Sequence, residues 1–411
     1  MDTLVRPTRL PALFVAFAGM GITAAAVPAT LPAFAQAQGA PLQPYLAAVP
    51  ALFFGLLVGV LLNSALAGRV STHALTAVGA AAQALGFGAL ALAPSADFFI
   101  GAAGVVGLGF GIVEAGGSVL ARELAGEHTA RLLSALTGTV AVAAAVVPLA
   151  IGLTALGAHP RAVYVAVAVL HAALAVWWTL DAARRREPRG GRISASAERP
   201  IAARLLDRRT AVALAPIAVA LLLYVGVETV YAGWSAAIPV QVLAVNAEQA
   251  AIGTAVFWAL LATGRYFAAY VLGRGVSNRV YLMISATTAA AALAVSAATI
   301  ATSPAISIAA LAVAVAALGP CYSLILGIGL ARVPVASARR ATGVLVACGA
   351  LGGSLIPGIA LLISDDPTAP IVLALTAILT ITVGLLVLAG GGAARARHVT
   401  DDDRINQPKG S

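Results

Sequence analysis

The sequence predicts an all-α membrane protein with twelve transmembrane helices in two parallel six-helix halves. Three observations carry this. The 411 residues are 61% hydrophobic and only 10% charged, against about 25% charged in a soluble domain, so polar surface is too scarce to face water all round. Apolar runs of about twenty residues, the length that crosses a bilayer as a helix, recur from end to end. The sequence has no alternating β-barrel segments, and only helices and closed barrels satisfy every backbone group in hydrocarbon.

The first run, centred near Met20, follows Arg6 and Arg9 and ends in the small-residue string Ala33-Phe34-Ala35. That pattern is shared with cleavable signal peptides, but the stretch from Leu10 to Phe34 is long enough to cross and is read as span 1. Spans 2 and 3 centre near Leu56 and Ala84, on either side of a short loop holding Arg69. Span 4, near Gly109, carries Glu114 and ends at Arg122. Span 5, near Ala144, follows Arg131, and span 6 lies near Val169. The longest polar interval follows, from Asp181 to about Arg209, and it divides the spans six and six. Spans 7 to 12 centre near Tyr224, Leu261, Ala291, Ala317, Ala350 and Thr380. The predicted organisation is therefore a first half at 1–181, a basic linker at 182–210, a second half at 211–391 and a tail at 392–411.

Every arginine and lysine except Arg161 and Arg265 falls in alternate loops or the tails. The intervening loops carry Asp97, Glu248, Asp365 and Asp366. The positive-inside rule then places both termini and the linker in the cytoplasm. The isoelectric point near 10.2 thus orients the chain in an inner or plasma membrane, and no nucleic-acid partner is expected. Cys321 and Cys348 both lie in spans, so no disulfide framework or cysteine metal site is indicated. No Walker loop, metal cluster or nucleophile triad occurs, so the sequence predicts no enzyme, cofactor or metal.

The halves correspond weakly but repeatedly. The stretch from Leu52 to Arg69 matches that from Phe257 to Arg274, with Gly59 opposite Gly264. Leu120-Ala121-Arg122 matches Leu330-Ala331-Arg332, and Arg131 and Pro148 recur at the same spacing as Arg340 and Pro357. An even number of spans per half makes the repeats parallel, an arrangement that builds a site near the midplane between them.

Three charges stand out. Glu114, Glu228 and Arg265 each lie in an apolar run with no other charge within about two helical turns. A charge at the bilayer centre costs ~2.5–3.5 kcal/mol on insertion scales, so it faces a protein interior or a wet cavity. Span 4 aligns Gly107, Gly111, Glu114 and Ser118 along one stripe. The small residues leave room for water or substrate, or else let helices pack closely. Span 7 aligns Tyr224, Glu228 and Tyr231, a carboxylate between aromatics that suits a sugar ring or an organic cation. Tyr231 and Trp234 near the span end also fit an interfacial belt. Arg265 is expected to pair with Glu114, which sits at a similar depth. Trp258, Tyr322 and Asn63 are further cavity candidates; Asn63, Gln83 and His171 also read as interhelical hydrogen bonds.

Across all twelve spans the chain resembles the major facilitator superfamily, and within it the fucose-permease-like branch. The carrying strings are Tyr224-Val225-Gly226-Val227-Glu228 with Gly233-Trp234, Phe257-Trp258 with Gly264-Arg265, and Gly107 to Glu114. Gly319-Pro320 and Gly352-Gly353-Ser354-Leu355-Ile356-Pro357 add to them. The resemblance implies a proton-coupled carrier of a sugar or similar small polar solute, with spans 1, 4, 7 and 10 lining the cavity and Glu114, Glu228 and Arg265 handling protons or substrate. There are departures. No acid occurs in Ala25 to Pro32, Ser118 stands where the branch has asparagine, and Thr72-His73 replaces the loop's Asp-Arg pair. A second reading is proton-antiport export of cationic or amphipathic compounds. A third is a non-transporting membrane sensor. The partners expected are a small-molecule substrate, protons and the lipid bilayer, with the protein a monomer.

Overall fold

The computed structural model describes residues 9–67, 69–125, 129–184, 208–333 and 335–405. Most of the arginine-rich linker and both chain ends lie outside the described residues, as do the side chains of Arg122, Arg131, Arg339 and Arg340. The described residues are helical, with one isolated bridge, Ala67 to Val70, and no named strand. Among the described residues, twelve helical segments are long and apolar enough to cross a membrane, from Leu10–Ala37 to Pro370–Leu388.

In chain order these are α1 (Arg9–Ala37), α2 (Ala48–Leu66), α3 (Thr72–Leu92), α4 (Ala96–Ala125), α5 (Thr129–Leu153) and α6 (Pro160–Arg184). After the linker come α7 (Arg208–Gly233), a short α8 (Ala237–Leu243), α9 (Ala251–Leu272) and α10 (Asn278–Thr299). Then α11 (Pro304–Leu318) and α12 (Cys321–Leu330) form one interrupted span, followed by α13 (Val335–Ile363) and α14 (Pro370–Ile405). The interruption falls at Gly319-Pro320, where proline supplies no N–H to the helical ladder.

Within the first half α2 packs on α4, α3 on α4 and α6, and α1 on α5. Within the second half α7 packs on α13 and α14, and α10 on α11 and α14. Lipid offers no hydrophobic drive between helices, so close approach of small residues has to bind them. The α2–α4 seam shows this. A Cβ at Gly107 would lie 1.8 Å from the Leu52 carbonyl oxygen, and one at Gly111 2.1 Å from that of Leu56. From the other side, Gly55 and Gly59 would strike Gly104 and Leu108 oxygens at 2.0 and 2.2 Å. The glycines of the predicted span 4 stripe therefore serve packing against α2; they do not open space beside Glu114.

Polar residues tie the first half internally. Thr23 donates to Gln83 Oε1 at 2.8 Å and meets His171 Nε2 at 2.9 Å, joining α1, α3 and α6. Asn63 donates to the Ile112 carbonyl at 3.1 Å. These three residues act as the interhelical hydrogen bonds the sequence suggests. Asn63 is absent from the cavity wall, which corrects its place among the cavity candidates.

The halves meet along α2–α13 and α5–α9. Their named contacts cluster at the end of the bundle opposite the termini. Trp234 Nε1 donates to the Leu46 carbonyl at 3.2 Å, and Ser354 Oγ to that of Pro50 at 3.0 Å. Gly233 abuts Val49, Gly353 abuts Phe53 and Gly152 abuts Ile252.

Candidate functional site

Beneath these cross-half contacts lies a central cavity of about 280 Å³. Both halves line it. α1 gives Pro28, α2 gives Phe53 and Leu56, α4 gives Phe110 and Glu114, and α5 gives Val140. From the second half come Val225, Glu228, Thr229 and Ala232 of α7, Trp258 and Arg265 of α9, Tyr322 of α12 and Ala350 of α13. Val49 and Gly233, which touch each other, close it on the side away from the termini.

All three intramembrane charges reach this cavity, but their pairing differs from the sequence expectation. Arg265 Nη2 lies 3.6 Å from Glu228 Oε1. Its Nε donates to the Gly319 carbonyl at 3.1 Å. No Glu114–Arg265 ion pair occurs among the described residues. Arg265 follows Gly264, whose missing side chain lets α9 come against the Ala316 carbonyl, 1.8 Å from where a Cβ would sit. That approach sets Arg265 beside the α11–α12 interruption and Glu228 of α7, and leaves Glu114 across the cavity with no hydrogen-bond or ion-pair partner among the described residues.

Tyr224 belongs to the same assembly, though not to the cavity wall. Its buried hydroxyl stands beside the Glu228 carboxylate and donates to the Leu318 carbonyl at 3.0 Å. Two consecutive carbonyls at the helix interruption, Leu318 and Gly319, thus accept from Tyr224 and Arg265, the two neighbours of Glu228. Tyr322 lines the same cavity as Glu114, Glu228 and Arg265, and its ring lies 6.4 Å from that of Tyr224.

Of the two aromatics expected to flank Glu228 in the cavity, Tyr224 stands beside it behind the wall and Tyr231 does not reach it. Helix α7 presents Val225, Glu228, Thr229 and Ala232 to the cavity, an i, i+3, i+4, i+7 face. Tyr224 and Tyr231 each precede a member of that face by one residue, about 100° around the helix. Tyr231 turns instead to Thr376 of α14, with which it shares a short hydrogen bond. Ser118 is half-buried and also outside the cavity wall. Trp258 and Tyr322 stand in the wall. Sequence reasoning did not single out Phe53 and Phe110, lining residues whose only signal is an aromatic in an apolar run.

The cavity wall is apolar and aromatic with few free polar groups. Thr229 donates to the Val225 carbonyl of its own helix at 2.7 Å. Arg265 and Glu228 offset each other. What remains is Glu114, a single acid facing aromatics.

The sequence pattern of the Major Facilitator Superfamily matches residues 9–357. No curated protein matches by sequence. Among solved structures, a peptide transporter of the POT family in complex with sulfate is similar over 96% of each chain, with 14% identity and a TM-score of 0.73. A bacterial homologue of the human lysosomal transporter Spinster, in an inward-facing and occupied conformation, is similar over 95% of this chain and 98% of its own, with 14% identity and a TM-score of 0.72. A point mutant of the nucleoside transporter NupG is similar over 93% of this chain and 99% of its own, with 12% identity and a TM-score of 0.69. At these identities the likeness concerns the fold.

Proposed function

The chain belongs to the major facilitator superfamily, and on that premise we propose that it is a proton-coupled secondary transporter of small amphipathic cations, working by alternating access between its halves. The observation that carries the substrate class is Glu114: an acid without a partner among the described residues, in a cavity walled by Phe53, Phe110, Trp258 and Tyr322. A cation with an apolar body neutralises the acid and stacks on the aromatic faces. A sugar, the substrate implied by the fucose-permease-like resemblance, needs a ring of hydrogen-bonding partners, and this wall offers few.

Coupling is assigned to Glu228. When its carboxylate takes a proton, the attraction holding Arg265 disappears, and the guanidinium keeps only its Gly319 contact. α7 and α9 are then free to shift relative to each other. The positive-inside distribution puts the termini in the cytoplasm, so the cross-half contacts of Trp234 and Ser354 close the external face. Loss of those contacts as the opposite ends approach completes the exchange of access.

The test is a thermal-shift screen of the purified protein against a lipophilic organic cation such as tetraphenylphosphonium and against hexoses. Stabilisation by the cation, lost in Glu114→Gln, is the expected result. Stabilisation by a hexose with no response to the cation would overturn the substrate class.

A further inference from the structure

A second space lies outside the central cavity. It occupies about 360 Å³ among α7, α8, α9 and α11, at the end of the second half opposite the termini. Its inner wall is made by Phe257, Leu260, Leu311 and Val315, with Tyr231 and Ser235 adding hydroxyls. Both hydroxyls are already engaged. Tyr231 is bonded to Thr376, while Ser235 lies 2.8 Å from Thr254 Oγ1 and donates to the Ala232 carbonyl at 2.7 Å. The inner wall therefore offers a guest nothing but hydrocarbon. Val256 and Leu243 form part of the rim and are 49% and 45% exposed. The crevice lies between two membrane spans, Ala247–Leu272 and Pro304–Leu330, so bilayer hydrocarbon adjoins it.

Left empty, an apolar space of this size forfeits the dispersion contacts of its whole lining. Water finds no free partners at the inner wall. A flexible hydrocarbon chain from the neighbouring leaflet supplies those contacts along the inner wall, with the exposed Gln249 the one side-chain amide of the lining.

We propose that the crevice is a binding site for one acyl chain of a phospholipid in the leaflet on the side opposite the termini. Only one layer of residues separates it from the central cavity. Tyr231 and Phe257 face the crevice, while their chain neighbours Ala232 and Trp258 face the cavity. The Phe257 and Trp258 rings meet edge-on at 5.6 Å. A seated chain thus buttresses the same α7–α9 wall that carries Glu228 and Arg265.

The test uses the full chain in nanodiscs of phosphatidylcholine doped with a phosphatidylcholine whose acyl chain bears a photoactivatable diazirine, followed by mass-spectrometric mapping. The expected result is at least fivefold enrichment of adducts at Val256, Leu260 and Leu311 over Val142 and Val146, which are well exposed on α5. Ala312→Phe, which fills the crevice, should bring that labelling down to the α5 level while the protein stays monodisperse. Equal labelling of the crevice and α5 in the unsubstituted chain would overturn the proposal whether or not the variant folds. So would crevice labelling that a trace of free fatty acid, and not excess unlabelled phosphatidylcholine, competes away.

Discussion

Arg265 and Glu228 form the ion pair of the central cavity, at 3.6 Å, with side chains 42% and 16% exposed. With Glu228 mostly buried, the cost of taking its carboxylate out of water offsets much of the attraction, so the pair is a weak source of stability. Three elements meet at it, α7, α9 and the α11–α12 interruption, and on the proposed coupling a proton on Glu228 would remove the attraction that joins the first two.

Arg265→Leu and Glu228→Gln should each lower proteoliposome uptake more than tenfold while leaving expression and gel-filtration behaviour intact. Residues acting as one unit give non-additive losses. The double variant should therefore transport no worse than the weaker single variant. Multiplying losses would mean that the two residues act independently.

Glu114→Gln should leave unliganded thermal stability unchanged or slightly higher, since an acid without a protein partner no longer sits in a mostly apolar wall. The same variant should bind the cationic probe at least tenfold more weakly. Thermal unfolding with and without probe reads both effects, and an unchanged ligand shift would remove Glu114 from the binding role.

Gly107→Ala should cost about 1–3 kcal/mol or more, because its methyl group would press on the backbone oxygen of Leu52, which no side-chain rotation can relieve. Gly104→Ala on the same helix meets the Ala51 oxygen only at an ordinary 3.6 Å and should be tolerated. Detergent thermal-unfolding midpoints of the two variants should differ clearly, with Gly107→Ala the lower.

On the proposed alternating access, the cross-half hydrogen bonds would set the balance between the two states. A typical bond contributes about 0.5–1.5 kcal/mol, so Ser354→Ala should shift the ratio of access states by about two- to tenfold. Spin labels at the exposed positions Gln43 and Asn246, in a background lacking Cys321 and Cys348, would report it. The longer interspin distance should gain population in Ser354→Ala.

The twelve spans were legible because bilayer thickness demands about twenty apolar residues each, and composition alone satisfies that demand. Glu114, Glu228 and Arg265 were legible as cavity residues for the same reason: hydrocarbon excludes them from elsewhere. Which charge meets which was not. Pairing depends on helix rotation and register, and a 100° error in facing is enough to misplace Tyr224 and Tyr231. The bonds to carbonyls of Leu46, Pro50, Leu318 and Gly319 were also invisible, because a backbone acceptor carries no residue signature. Gly319-Pro320 was legible only as part of the family resemblance; that it interrupts the span, and that Tyr224 and Arg265 gather there, emerged from the structure.

The glycine seam has a mechanical consequence. With carbonyl oxygens lodged where side chains would otherwise stand, α2 and α4 have no slack between them and must pivot as a single lever. One arm ends at the Pro50–Ser354 contact with the other half, and the other carries Glu114. On the proposed rocking of the halves, a displacement at the Pro50–Ser354 contact would reach Glu114 through this seam as movement of one body.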